Sequence, residues 1–313
     1  NSDACLFKRI APEDIVSTDR PSNAWFTAAV AVVAEYPGWI QSMFGNWPFL
    51  HPDGRYTVRL YHPGRKAFVR VTVDDYVPTS SGSPSFTGIS AMGELWPALL
   101  EKAFAKLNGS YKAIGWGSAA FGLLYLCGGG AVESWSKTAR GTWARSVTQW
   151  RGLAGATINR KRAEGSVSDD TQIGQATLWL LLRRHMKANC PVALGVDKSA
   201  AWESNLRLGL PYSLVCAREV PVQGKTLRML RVRNGLGATF FKGRWADGSE
   251  AWSQCPVAQQ RLRFKPKGGQ GDGTFWMSYS DFLKYFDRAD CARQCMPIQG
   301  CRGAKCHRSR LGL

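Results

Sequence analysis

The chain has 313 residues, 44% of them hydrophobic and 13 of them tryptophan, enough apolar material for one large domain or two packed ones. That composition excludes an intrinsically disordered chain. A formal charge of +18 at neutral pH repels itself and points to a polyanionic partner: RNA, an acidic protein surface or anionic lipid. A protein that is merely basic is the plain alternative.

The longest apolar run, 24–34, is shorter than a bilayer requires, so no membrane span is expected. Within it Ala24, Trp25, Ala28, Ala29, Val32 and Val33 recur at helical spacing behind Asn23, a good N-cap residue, which predicts a buried helix. Residues 56–61 and 68–73 alternate with period two around His62-Pro63-Gly64-Arg65, the pattern of a β-hairpin. The Ser/Gly/Pro stretch 78–84 reads as loop. Residues 94–108 carry Leu95, Leu99, Ala103 and Leu107 on one helical face, with Gly109 as the stop.

From 128 to 170 the chain shows Gly, Ser, Thr, Arg and isolated tryptophans without a period, and a helix resumes over 172–187. Strands are expected at 192–196, 212–220, 227–234 and 240–243. A glycine-rich loop (268–273), a segment Thr274–Ser278 and a short helix over 280–286 follow. The fold class is α+β, a helical first half followed by an antiparallel, β-rich second half.

Several segments, in order, resemble the protease core of the calpains, within the papain-like superfamily. They are Ala24-Trp25-Phe26-Thr27-Ala28-Ala29, Val73-Asp74-Asp75-Tyr76-Val77-Pro78, and Glu94-Leu95-Trp96 through Leu99 to Tyr111. Tyr212-Ser213, Arg231-Val232-Arg233-Asn234, Gly243-Arg244-Trp245-Ala246-Asp247 and Phe275-Trp276-Met277-Ser278 with Asp281-Phe282 complete the set. The resemblance runs from about residue 14 to 290. It implies four units: a helical core subdomain over 1–135, a basic Trp/Arg-rich insertion over 136–170, a β-rich core subdomain over 171–290, and a Cys-rich tail over 291–313.

In that family a cysteine at a helix N-terminus attacks the peptide, a histidine takes its proton, an asparagine orients the histidine and an upstream glutamine binds the oxyanion. Carried onto this sequence, the nucleophile falls at Ala24, the base at Leu210, the orienting residue at Asn234 and the oxyanion residue at Thr18. The tryptophan that shields such a site is Leu236. Neither a methyl nor an isobutyl group can attack a carbonyl or move a proton, so the resemblance implies a catalytically inactive pseudoprotease. The family's calcium loops also depart from pattern. Asp247 and Asp272 remain, but Lys112, Phe240 and Thr274 replace expected acids, and calcium needs six to eight oxygen ligands. No cofactor is expected.

The region 137–162 holds seven basic residues and no acid: Lys137, Arg140, Arg145, Arg151, Arg160, Lys161 and Arg162, with Trp143 and Trp150 interleaved. This suits an RNA contact or an acidic protein groove, or else a solvated loop with tucked-in tryptophans. Nine cysteines, scattered and then clustered at the end, form no secreted framework, and a reducing compartment is favoured. The tail brings Cys291, Cys295, Cys301, Cys306 and His307 within 17 residues. Zinc, paired disulfides and ordinary thiols are all open readings. His51, His62 and His185 read as turn or surface residues. A chain beginning at Asn1 leaves room for a removed targeting peptide.

The function these features imply is a structural, scaffolding component of a larger intracellular assembly. The resemblance to divergent calpain-like proteins of flagellated protists adds a cytoskeletal or flagellar setting, with acidic tubulin surfaces as partner. The alternatives are a basic subunit of a ribonucleoprotein such as an organellar ribosome, and a surviving calcium-dependent cysteine protease.

Overall fold

The computed structural model describes residues 4–15, 23–45, 49–80, 83–88, 92–150, 164–199, 201–209, 211–235, 241–265 and 272–296. The first half is built on four helices: α1 (Ala24–Ala34), α2 (Pro37–Met43), α3 (Trp96–Leu107) and α4 (Ala119–Cys127). Beside them lies an antiparallel hairpin, β1 (Arg55–His62) and β2 (Ala67–Asp74), in register from Arg55↔Asp74 to His62↔Ala67. The alternation predicted this hairpin, and a 3-10 turn at Pro63–Arg65 closes it. Its buried face carries Tyr56, Val58 and Leu60.

Helix α1 is apolar on almost every side because nothing around it is solvent. Phe26 to Ala34 are all buried, and Phe26 stacks on Phe104 of α3 with centroids 3.9 Å apart. Four expectations change in this half. Helix α3 begins at Trp96 rather than Glu94, because Glu94 pairs with Cys5 in a β-bridge. Residues within the expected 78–84 loop pair as two short strands, β3 (Thr79–Ser80) and β4 (Ser83–Pro84). Helices α2 and α4 are additional elements.

The second half is one eight-stranded, wholly antiparallel sheet. It comprises β5 (Val132–Lys137), β6 (Trp143–Trp150), β7 (Glu164–Ile173), β8 (Val192–Val196), β9 (Tyr212–Val222), β10 (Lys225–Asn234), β11 (Thr274–Ser278) and β12 (Phe286–Ala292). Their order across the sheet is β11-β10-β9-β8-β12-β5-β6-β7. Packed around the sheet are α5 (Gln175–Lys187), α6 (Ala201–Ser204), α7 (Ala251–Gln254), α8 (Pro256–Arg261) and α9 (Tyr279–Tyr285).

The stretch read as patternless therefore forms three paired strands, from Val132↔Thr148 across β5–β6 to Trp150↔Glu164 across β6–β7. The sheet also takes in Cys291 and Ala292, which the sequence placed in the tail. The strand expected at 240–243 does not form over 241–243, where Phe241 instead stacks on Phe275. No helix among the described residues is long and apolar enough to cross a membrane.

The two halves meet where α1 and α4 lie against the sheet. Gly235, just past β10, is so close to α1 that an added Cβ would stand 2.6 Å from the Ala31 methyl. Only a residue without a side chain fits there.

Candidate functional site

Helix α1 starts at Ala24, a half-buried residue. Asn23 occupies the cap position, but its side chain makes no capping bond. Its amide donates instead to Oε1 of Glu101 on α3, while the Thr87 N–H donates to Oε2 of the same carboxylate at 2.9 Å. Glu101 is only 2% exposed. Burial raises its pKa to about 7, against the pull of the Thr87 and Asn23 bonds. The next residue on the helix, Trp25, donates its indole N–H to the Ile114 carbonyl at 3.1 Å. An added Cβ at Gly117 would fall 2.6 Å from the Trp25 ring, so the backbone passes directly against the indole.

Asn234 is the last residue of β10 and is buried, its N–H donating to the Gly273 carbonyl at 3.0 Å. Thr18, Leu210, Leu236 and Phe240 lie outside the described residues. A helix N-terminus polarises a thiol when one is present. Here it presents a methyl group.

The neighbouring residue Arg233 ties the seam between the halves together. Its guanidinium donates to Glu35 just past α1 at 2.7 Å, to Glu13 of the N-terminal segment at 3.0 Å and to the Asp272 carbonyl. Burial raises the Glu35 pKa, and the Arg233 charge pulls it back. Sequence reasoning missed this junction and the Asn23–Glu101 pair. The one signal for the second was an acid placed directly after the apolar run Ala98-Leu99-Leu100.

The two remaining acids of the calcium loops line one pocket of about 200 Å³, so the fold does bring Asp247 and Asp272 together. Arg231, Arg263 and Lys265 line it too. Arg231 reaches the Asp272 carboxylate at 3.5 Å and the Thr274 hydroxyl at 2.9 Å. Three cations against two carboxylates do not fit a calcium ion, which needs a surplus of oxygen charge. Lys112 opens a 3-10 turn at Lys112–Ile114.

The basic cluster divides. Arg140 is exposed at the β5–β6 turn. Lys137 donates to the Leu283 carbonyl at 2.7 Å, and Arg145 pairs with Glu133 at 2.7 Å. Trp143 contributes nothing to an outer surface: it is 0% exposed and stacks on Phe282. This corrects its assignment as a binding aromatic, since β6 turns it into the core. Arg151, Arg160, Lys161 and Arg162 lie outside the described residues, and Trp150 is the last residue of β6.

Cys291 is fully buried in β12, and Cys295 lies against Cys190. Cys301, Cys306 and His307 lie outside the described residues. Among the described residues no group of three or more His, Cys, Asp or Glu side chains is arranged to hold a metal ion. His185 corrects its surface reading: it is 5% exposed on α5, with Nδ1 3.0 Å from the Leu181 carbonyl and its pKa lowered by burial. It lines a pocket of about 630 Å³ beside β5 and β7, together with Trp135, Ile173, Glu133, Arg184 and Arg293.

A helical half packed against an antiparallel half is the architecture of a papain-like protease core. The profile of the family described as "Calpain family cysteine protease" matches residues 3–293, and the chain belongs to that family. Among its relatives, the calpain-1 catalytic subunits of Bos taurus and Sus scrofa are each 33% identical over 226 residues, covering 71% of this chain and 27% of the relative. The calpain-2 catalytic subunit of Gallus gallus is 29% identical over 230 residues, with the same coverage. The chain thus spans about a quarter of the length of these curated relatives.

Proposed function

We propose that the protein is a calpain-like pseudoprotease that binds a polypeptide partner without cleaving it. The observation that carries this reading is Ala24, a methyl-bearing residue at the start of α1 where the family's nucleophile would stand. Replacing nucleophile and base together leaves only the small residual acceleration that binding and oxyanion contacts supply. Glu101, which bonds the residue preceding Ala24, is already engaged by Asn23 and Thr87.

An acidic protein surface, such as a tubulin tail in a cytoskeletal assembly, is the partner proposed. The charge of +18 supports it. So does Arg184 on the pocket beside the β5–β7 strands, where Arg293 already pairs with Glu133. The ribonucleoprotein reading loses support from Trp143, because a ring buried against Phe282 cannot stack on a base. Calcium has no role in this reading, in keeping with the cations around Asp247 and Asp272.

The test has two arms. The purified protein is incubated with an epoxide-bearing peptide probe and with casein, each with and without calcium. No adduct on any residue of the seam and no cleavage are expected, and an adduct or calcium-dependent turnover overturns the reading. In parallel, co-sedimentation with microtubules and with structured RNA is followed across a salt series. Microtubule binding is expected; RNA binding alone, with a steep salt dependence, replaces the proposed partner with a nucleic acid.

A further inference from the structure

We propose that Cys190 and Cys295 form an oxidisable pair, the site of a disulfide that cross-links the second half of the protein. Their sulfurs lie 3.4 Å apart although the residues are 105 positions apart in sequence. The backbone holds them there. Cys190 stands two residues before β8 and Cys295 three residues after β12, and these strands are antiparallel neighbours in the sheet. Two hydrogen bonds bracket the pair: Ala292 N–H to the Pro191 carbonyl and Met296 N–H to the Asn189 carbonyl, each 2.9 Å. Cys190 is further fixed by its own N–H, which donates to the His185 carbonyl at 2.9 Å, and by the left-handed turn at Asn189 (φ 55°).

A disulfide needs sulfurs roughly 2.05 Å apart. The pair has only about 1.3 Å left to close, which side-chain rotation supplies without moving the strands. Access sets the order of events. Cys190 is 2% exposed and Cys295 is half-buried, so an oxidant meets Cys295 first.

With hydrogen peroxide as oxidant, the Cys295 thiolate attacks one peroxide oxygen, the O–O bond breaks, and a sulfenic acid and hydroxide result. The Cys190 thiolate then attacks the Cys295 sulfur, the S–O bond breaks, and hydroxide leaves to take up a proton. Two thiols and one peroxide become one disulfide and two waters. Cys127 and Cys291 are spared. Both are 0% exposed within the apolar cores, and burial pushes both thiols well above their ordinary pKa.

The cross-link closes a loop containing β8 to β12, five strands of the sheet. Restricting so long a stretch in the unfolded chain stabilises the fold.

The experiment treats the purified protein with hydrogen peroxide, alkylates remaining thiols under denaturing conditions and maps the digest by mass spectrometry. A cross-linked pair of peptides carrying Cys190 and Cys295, two hydrogens lighter than their sum, is expected. The urea midpoint should rise on oxidation and return on reduction. Cys295→Ser, at the half-buried position, should abolish both effects while keeping the reduced midpoint. The proposal is overturned if both Cys190 and Cys295 remain alkylatable, or if Cys295 ends as a sulfinic acid. It is equally overturned if Cys295 pairs with Cys301 or Cys306 while Cys190 still takes the label.

Discussion

Arg233 Nε and Glu35 Oε1 lie 2.7 Å apart across the seam, joining β10 of the sheet to the end of α1 through residues 198 positions apart in sequence. Both side chains are largely buried, at 12% and 14% exposure. Removing the cation would leave the buried Glu35 without its guanidinium partner and Glu13 with Arg9 alone. Arg233→Ala should therefore destabilise the protein by about 3–5 kcal/mol, measured as a fall in ΔG of urea unfolding. Pairing it with Glu35→Gln should recover part of that loss. An Arg233→Ala variant as stable as wild type would show that the ion pair does not hold the halves together.

Glu101 makes stability depend on pH. Its folded pKa of about 7 lies above the ordinary carboxyl value of 4.5, so the native state binds the proton more tightly than the unfolded chain. Its contribution is present at low pH and is lost as pH rises from about 4.5 through about 7, a loss on the order of 3 kcal/mol. Glu101→Gln should flatten that part of the profile. Urea midpoints of both proteins at pH 5 and pH 8 give the comparison, and identical slopes would contradict it.

Two tryptophans should behave oppositely. Trp143 is wholly enclosed and stacked on Phe282, so Trp143→Ala should cost about 3–5 kcal/mol. Trp202 is 95% exposed, and Trp202→Ala should change stability by less than about 0.5 kcal/mol. Thermal scans of the two variants check both values. Loss of partner binding in the Trp143 variant would then report misfolding, whereas Arg140→Ala probes the surface without that confusion.

Millimolar calcium should leave the melting temperature unchanged, because Arg231, Arg263 and Lys265 share the pocket with Asp247 and Asp272. A rise on adding calcium, reversed by a chelator, would refute this.

Parts of this protein were legible in its sequence because short-range pattern decided them. The β1–β2 hairpin follows from alternation around a Pro-Gly turn, and α1 from apolar spacing. Helix α4 was hidden because Ala119–Cys127 is apolar on every face and has no period to read. Strands β5–β7 were hidden because their Ser, Thr and Arg residues look like loop, and it is their pairing with one another and with β12 that makes them a sheet. At the site, the alanine that opens α1 could be read directly. The Arg233 junction could not, since its partners come from segments some 200 residues away.

The contact between Gly235 and Ala31 sets how the two halves can shift. With a hydrogen facing a methyl there is no slack along that line, so a sliding displacement must push one backbone into the other. A bulkier side chain introduced there would have to prop the seam ajar.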